Sequence, residues 1–156
     1  MPSFLLQIVS LMGERVEVFS NEVLPSQDFL KEKTVKHIME CILNNKQDEL
    51  PPTPIVRKNP HGTGFIAIDG HNLIAVYDLL GERFEVFVAE NSLDKLENLV
   101  ETESLKKRNR DLAEKFDSAI LEAERLEKEG ICSFSDLRKK YAWMKDLTTL
   151  KNHFNL

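Results

Sequence analysis

Residues 62–81 read GTGFIAIDGHNLIAVYDLLG, and the change of period inside this stretch decides the fold. After the glycines at 62 and 64, Phe65, Ile66, Ala67 and Ile68 make a short apolar run of the kind a strand shows. Asp69 and Gly70 then signal a turn, because glycine tolerates the positive φ that a sharp reversal needs. From His71 the spacing is helical. Leu73, Ile74, Tyr77 and Leu80 share a face, small Ala75 allows close packing, and Gly81 stands where a C-terminal cap belongs. The stretch predicts strand, tight turn and short helix. A helix opening at such a turn presents free backbone N–H groups and the positive end of its dipole, which favours an anion.

Upstream, residues 4–9 and 15–19 (RVEVF) are β-prone and predict a hairpin, with a short helix over 4–12 as the alternative. A turn-rich connector, 21–28, leads to a helix expected over 31–44. Its stripe is Val35, Ile38, Cys41 and Ile42, with Ser26 or Asp28 as its cap. Pro51, Pro52 and Pro54 impose an extended approach to a strand at 55–57, and a further strand is expected at 84–88. GERVEVFSNE at 13–22 and GERFEVFVAE at 81–90 share most positions. Their flanks do not repeat, so the plainer reading is two strands that follow similar turns, and the other is a duplicated strand unit.

Past residue 92 the composition changes. Residues 93–129 hold neither proline nor glycine and predict helix, interrupted near 102–104. Leu112, Phe116, Ala119, Ile120, Ala123 and Leu126 form an apolar stripe that must pack on the α/β part or on a second copy of the chain. Ser133 and Asp136 then form a capping pair for a helix to about 141, and a last helical piece covers about 147–154. The expected organisation is a mixed α/β (α+β) domain over 1–92 and a helical extension over 93–156.

With 156 residues, 42% hydrophobic and 30% charged, the chain has room for one proper core. Its net charge of -5 disfavours nucleic acid unless a local basic patch is present. The apolar run 4–12 lacks a basic flank and is too short to span a bilayer, so no membrane association and a cytoplasmic location are expected. Cys41 and Cys132 are far apart and fit free thiols. His37, His61 and His153 show no ligand spacing, so no metal site is expected, and Walker-type and GxGxxG loops are absent.

Several weak signals fall in a particular order. Leu24, Pro25, Ser26, Gln27 and Asp28 precede an amphipathic helix, and Leu50, Pro51 and Pro52 precede a strand. Then come Ile68, Asp69, Gly70 and His71, a helix with Ala75, Leu80 and Gly81, and Glu85 to Val88. Over about 24–89 the chain thus resembles the ParB/sulfiredoxin-like superfamily, whose pattern is similar to IDGHHRLAA…LG…VPV. That resemblance implies a small mixed sheet with flanking helices whose strand–turn–helix binds nucleotide phosphates. Its members include CTP-hydrolysing partition proteins, ATP-using sulfiredoxins, free-serine kinases and nuclease-like proteins. For this chain it implies a phosphate or nucleotide pocket at Asp69, Gly70, His71 and Asn72, with ATP or CTP and Mg²⁺ as cofactors. The activity would be a nucleotide-dependent phosphotransferase or nucleotidase.

The motif is degenerate. Asn72 stands where a second His or a basic residue is usual, and Leu73 where an Arg is usual. Backbone N–H groups at an exposed helix start give an anion about 0.3–1 kcal/mol. Each hydrogen bond from a charged donor adds about 1.5–3 kcal/mol, so the missing Arg implies roughly ten- to a hundredfold weaker binding. Activity is expected to be weakened or lost unless Arg57 or Arg83 substitutes. No Cys lies in 69–73, which excludes sulfiredoxin chemistry.

For His71 two roles stand side by side, phosphate donor or general base and a turn-capping histidine. Asp69 reads as a cap or as an orienting carboxylate. Glu22 and Asp28 are the acidic catalytic candidates, weighed against ordinary surface carboxylates. Arg138, Lys139 and Lys140 after the turn at Gly130 are either a solvated face or DNA contacts of a helix-turn-helix, and Lys106, Lys107 and Arg108 either a solvated face or DNA contacts. The alternative functions are therefore a DNA-associated, plasmid- or phage-type accessory protein and a module that homodimerises through its helical extension.

Overall fold

The computed structural model describes residues 9–10, 14–92, 94, 96–97 and 102–153. In chain order these give β1 (Val9–Ser10), β2 (Glu14–Val18), β3 (Val23–Leu24), α1 (Glu32–Leu43), β4 (Ile55–Lys58), β5 (Phe65–Asp69) and α2 (His71–Leu80). There follow β6 (Phe84–Ala89), β7 (Leu96–Glu97), α3 (Glu103–Lys115), α4 (Ser118–Lys128), α5 (Phe134–Lys139) and α6 (Met144–His153). The fold is mixed α+β. A five-stranded mixed sheet runs in the order β2–β6–β4–β5–β3, and β1 pairs with β7 separately. β6 lies parallel to β4 and β3 parallel to β5, while β2–β6 and β4–β5 are antiparallel. No described helix is long and apolar enough to cross a membrane.

The two similar segments turn out to be neighbours. β2 and β6 pair so that Glu17 faces Glu85, the residue that corresponds to it in the other GER-x-EVF segment. The ladder is locally two-fold about that pair. Like charges opposite each other repel, and Arg15 answers with a 3.0 Å bond to Glu85.

Strand alternation divides the sheet into two apolar faces, each covered by helices. Val56, Ala67, Phe84, Val86 and Val88 pack with α1 and α2, and also with Phe134, Leu137, Met144 and Leu147 of α5 and α6. Ile55, Ile66, Ile68, Phe87 and Ala89 pack with Leu105, Leu112, Ala119 and Ala123 of α3 and α4 and with Phe116 between those helices. Residues past 92 therefore complete both cores. The stripe from Leu112 to Ala123 is buried on the sheet of its own chain.

Local departures from the sequence reading have visible causes. The helical composition of 93–101 does not prevent Leu96 and Glu97 from pairing with Val9 and Ser10 as a short strand. The β-prone run 4–8 lies outside the described residues. The long helix breaks at Phe116 and Asp117, not only near 102–104. Arg57 takes the Phe116 carbonyl at 2.8 Å and stacks over its ring at 3.9 Å, while the Ile120 N–H turns to Asp117. Neither Ser26 nor Asp28 caps α1, which starts at Glu32 after Lys31 without a side-chain cap. Gly81 does end α2 in the left-handed conformation, and Ser133 caps α5 through the Asp136 N–H.

Candidate functional site

The reversal between β5 and α2 has one acceptable residue at its apex. Gly70 has φ 94°, and a Cβ there would lie 2.7 Å from Pro54 Cβ and 2.9 Å from Pro54 Cα. Only glycine meets both demands. The Asp69 carboxylate accepts the Gly70 N–H at 2.9 Å, and the Gly70 carbonyl starts the helix by accepting from Ile74 at 3.0 Å. Gly70 has no side chain to cap α2. The first-turn N–H groups of His71, Asn72 and Leu73 thus have no intrahelical acceptor, and these residues line a cleft of about 390 Å³.

Residues 26–31 form one wall and are tied down along their length. The Ser26 N–H donates to His71 Nε2 at 2.9 Å, and its hydroxyl donates to the Ala67 carbonyl at 2.5 Å. The Lys31 N–H donates to Asn72 Oδ1 at 2.9 Å. Tyr141 Oη accepts from the Leu30 N–H and donates to the Asp28 carbonyl, which Lys140 Nζ also reaches at 2.8 Å. His71 and Asn72 thereby hold the loop that faces them.

His71 is buried against the Phe134 ring, with centroids 5.6 Å apart. Burial drives its pKa down from 6.5 to about 3, with Asp69 opposing the shift and Lys115 adding to it. The ring is neutral, and because Nε2 accepts from an amide its proton sits on Nδ1. Its basic nitrogen is occupied by Ser26. Leu73 is buried in the core.

A guanidinium reaches the turn from the helical extension instead. Leu105, Arg108 and Leu112 share the buried face of α3, and Arg108 is only 7% exposed. Its Nε donates to Asp69 Oδ2 at 3.1 Å, and Nη2 donates to the Thr53 carbonyl. Nη1 is buried with no hydrogen-bond partner among the described residues. Arg57 and Arg83 do not play this part. Arg57 is stacked on Phe116 and Arg83 lies 5.0 Å over Phe19.

The basic run of α3 is split by the fold: Arg108 turns inward, while Lys106 and Lys107 remain exposed beside Glu103 and Asp111. The second run is split as well. Arg138 donates to Asp78 at 2.6 Å, Lys140 is bound to the Asp28 carbonyl, and Lys139 is exposed. Phe134 and Leu137 bury the face of α5 against α2. Glu22 and Asp28 are not brought to the cleft. Glu22 caps its own turn by accepting from the Phe19 N–H at 2.7 Å and lines a separate hollow with Gly64. The Asp28 carboxylate lies 3.9 Å from Arg125. Its neighbours Gln27 and Phe29 line the cleft in its place.

Arg108 had a legible signal. Leu105, Arg108 and Leu112, at i, i+3 and i+7, put the arginine on the apolar face of a helix, where a solvated cation does not belong. The charge of the cleft follows from its walls: Lys31, Lys107, Arg108 and Lys115 against Asp69 and Asp111, four cations to two carboxylates. Among the described residues no cluster of three His, Cys, Asp or Glu side chains is placed to hold a metal ion.

Fold and site together define a mixed α+β chain with a basic cleft at a strand–turn–helix. No family model, curated protein or solved structure matches the chain.

Proposed function

We propose that this chain binds the phosphate group of a small phosphorylated ligand in the cleft between the start of α2 and α3. The observation that carries the reading is Arg108, a cleft-lining arginine fixed by Asp69 and Thr53 whose Nη1, itself buried, has no partner among the described residues. A buried N–H without an acceptor costs about 1–3 kcal/mol, more for a charged group, and an anionic oxygen is the acceptor it lacks. The unpaired amides of α2 add their dipole on the same side. Arg108 thus stands in for the motif arginine that Leu73 replaces.

The reading is of binding. The His71 lone pair is engaged by Ser26, and Glu22 and Asp28 lie elsewhere, so none of the three offers a general base to a ligand in the cleft. Titration calorimetry with orthophosphate, AMP, ATP and CTP, with and without Mg²⁺, tests it. Saturable heat is expected for at least one of these ligands, at least about tenfold weaker in Arg108→Met. Absence of heat from all of them at millimolar concentration, with the protein folded, would remove the proposal.

A further inference from the structure

The five-stranded sheet ends on one side in β3, two residues long, and on the other in β2, five residues long. A short edge offers little to pair with, whereas a long one leaves the N–H and C=O groups of alternate residues open to another strand. β2 lacks the usual guards of such an edge. It has no proline and no lysine, and it follows β6 in unbroken register, while the irregular step of this sheet lies in β4. Among the described residues its outer side has no strand neighbour. What it carries is a pattern: Arg15 and Glu17 on one face, and Val16 half-buried against the core on the other.

The chain already shows what this strand accepts as a partner. β6, its antiparallel neighbour, lies in GERFEVF at 81–87, a near-copy of GERVEVF at 13–19. A second molecule presents the same segment at its own edge. Symmetric antiparallel registers differ in the residue at their centre, and charge chooses among them. Centring on Arg15 or on Glu17 sets like charges opposite each other. Centring on Val16 sets Arg15 opposite Glu17 twice and valine opposite valine, with the core faces aligned. Glu17 lacks just such a counter-ion. It is exposed, faces Glu85 within its own sheet, and has no ion pair among the described residues.

We propose that two copies of this chain join through their β2 edges, antiparallel about a two-fold axis at Val16, so that their sheets become continuous. The proposal is independent of the phosphate reading, because β6 and β4 stand between β2 and the strand that leads into the cleft.

Sedimentation velocity on the full chain, over a concentration series up to about 0.5 mM, tests it; a reversible monomer–dimer equilibrium is expected, since one strand pair makes a small interface. Glu17→Arg should weaken the dimer at least about tenfold, because both cross-strand pairs become cation on cation. Arg15→Glu should do the same with anions. Mixed in equal amounts, the two variants should dimerise again, each supplying the charge that the other lacks. Hydrogen exchange at high concentration should protect amides within 14–18 and leave those of β3 unchanged. A wild-type chain that stays monomeric throughout overturns the proposal and leaves the edge to a different strand. A dimer as tight in Glu17→Arg as in the wild type also overturns it, placing the contact on another face, as does a mixture that fails to recover. Should Arg15→Glu not fold for want of its bond to Glu85, Glu17→Arg and the exchange pattern decide alone.

Discussion

The two halves of α2 each meet an arginine from the C-terminal part of the chain, and they use it differently. Near the helix C-terminus, Asp78 accepts from Arg138 at 2.6 Å, from Ser20 at 2.6 Å, and from Ser135 through both oxygens. That carboxylate is saturated by its own surroundings. At the N-terminal side, Asp69 shares its two oxygens between Gly70 and Arg108, and the buried Nη1 of that guanidinium has no partner among the described residues. The same two residue types therefore form a lock at one end and, on the proposed reading, a receptor at the other. What separates the two ends is burial without a partner: among the described residues Arg108 Nη1 is buried and unbonded, and no side-chain atom of Arg138 or Asp78 is.

The largest effect is expected from breaking the lock. Asp78→Ala strands the Arg138 guanidinium and two hydroxyls, and urea denaturation should show a loss of about 3 kcal/mol with phosphate affinity unchanged in the folded protein. A change in binding without loss of stability would reverse the roles assigned to the two ends. Next comes Gly70→Ala, where a forbidden φ and the collision with Pro54 together should cost about 2 kcal/mol in the same measurement. Arg108→Met sharpens the contrast from the other side. It should weaken phosphate binding by about ten- to a hundredfold while destabilising less than Asp78→Ala, with Arg108→Lys intermediate because it keeps charge without the fork.

The smallest effect is the pH dependence carried by His71. Its pKa is about 3 in the folded chain against 6.5 ordinarily, so the unfolded chain takes up a proton that the folded one refuses. Its contribution to stability is whole above pH 6.5 and is lost as pH falls toward 3, at a limiting slope of about 1.4 kcal/mol per pH unit. His71→Gln keeps an acceptor for the Ser26 N–H without titrating. Urea midpoints at pH 7, 6 and 5 should therefore fall less in His71→Gln than in the wild type, and parallel curves would dissociate His71 from the acid response.

How much of this was legible depends on the range of the forces involved. The period change around Asp69 and Gly70 is local, and it gave β5, α2 and the αL glycines at 70 and 81 correctly. The stripe of α1 was readable for the same reason, apart from Met39 standing in for half-buried Ile42. The break after α3 was not, because the competitor for the Phe116 carbonyl comes from β4, far away in sequence. Nor was β7, whose partner is β1. At the site, the turn was legible, while Arg108 was legible only from its place between Leu105 and Leu112, inside a run of cations that reads first as a solvated face. The capture of His71 by the Ser26 amide has no sequence signature at all.

One dipeptide carries a burden out of proportion to its size. The Thr53 carbonyl holds Arg108, the Pro54 carbonyl accepts the Phe87 N–H at 2.9 Å, and the Pro54 ring abuts Gly70. The inner strand β6, helix α3 and the turn thus share a common hinge pin. Substitutions at 53 and 54 should therefore not sort into folding mutants and affinity mutants. In a survey of such variants, melting temperature and ligand affinity would decline together along a single line.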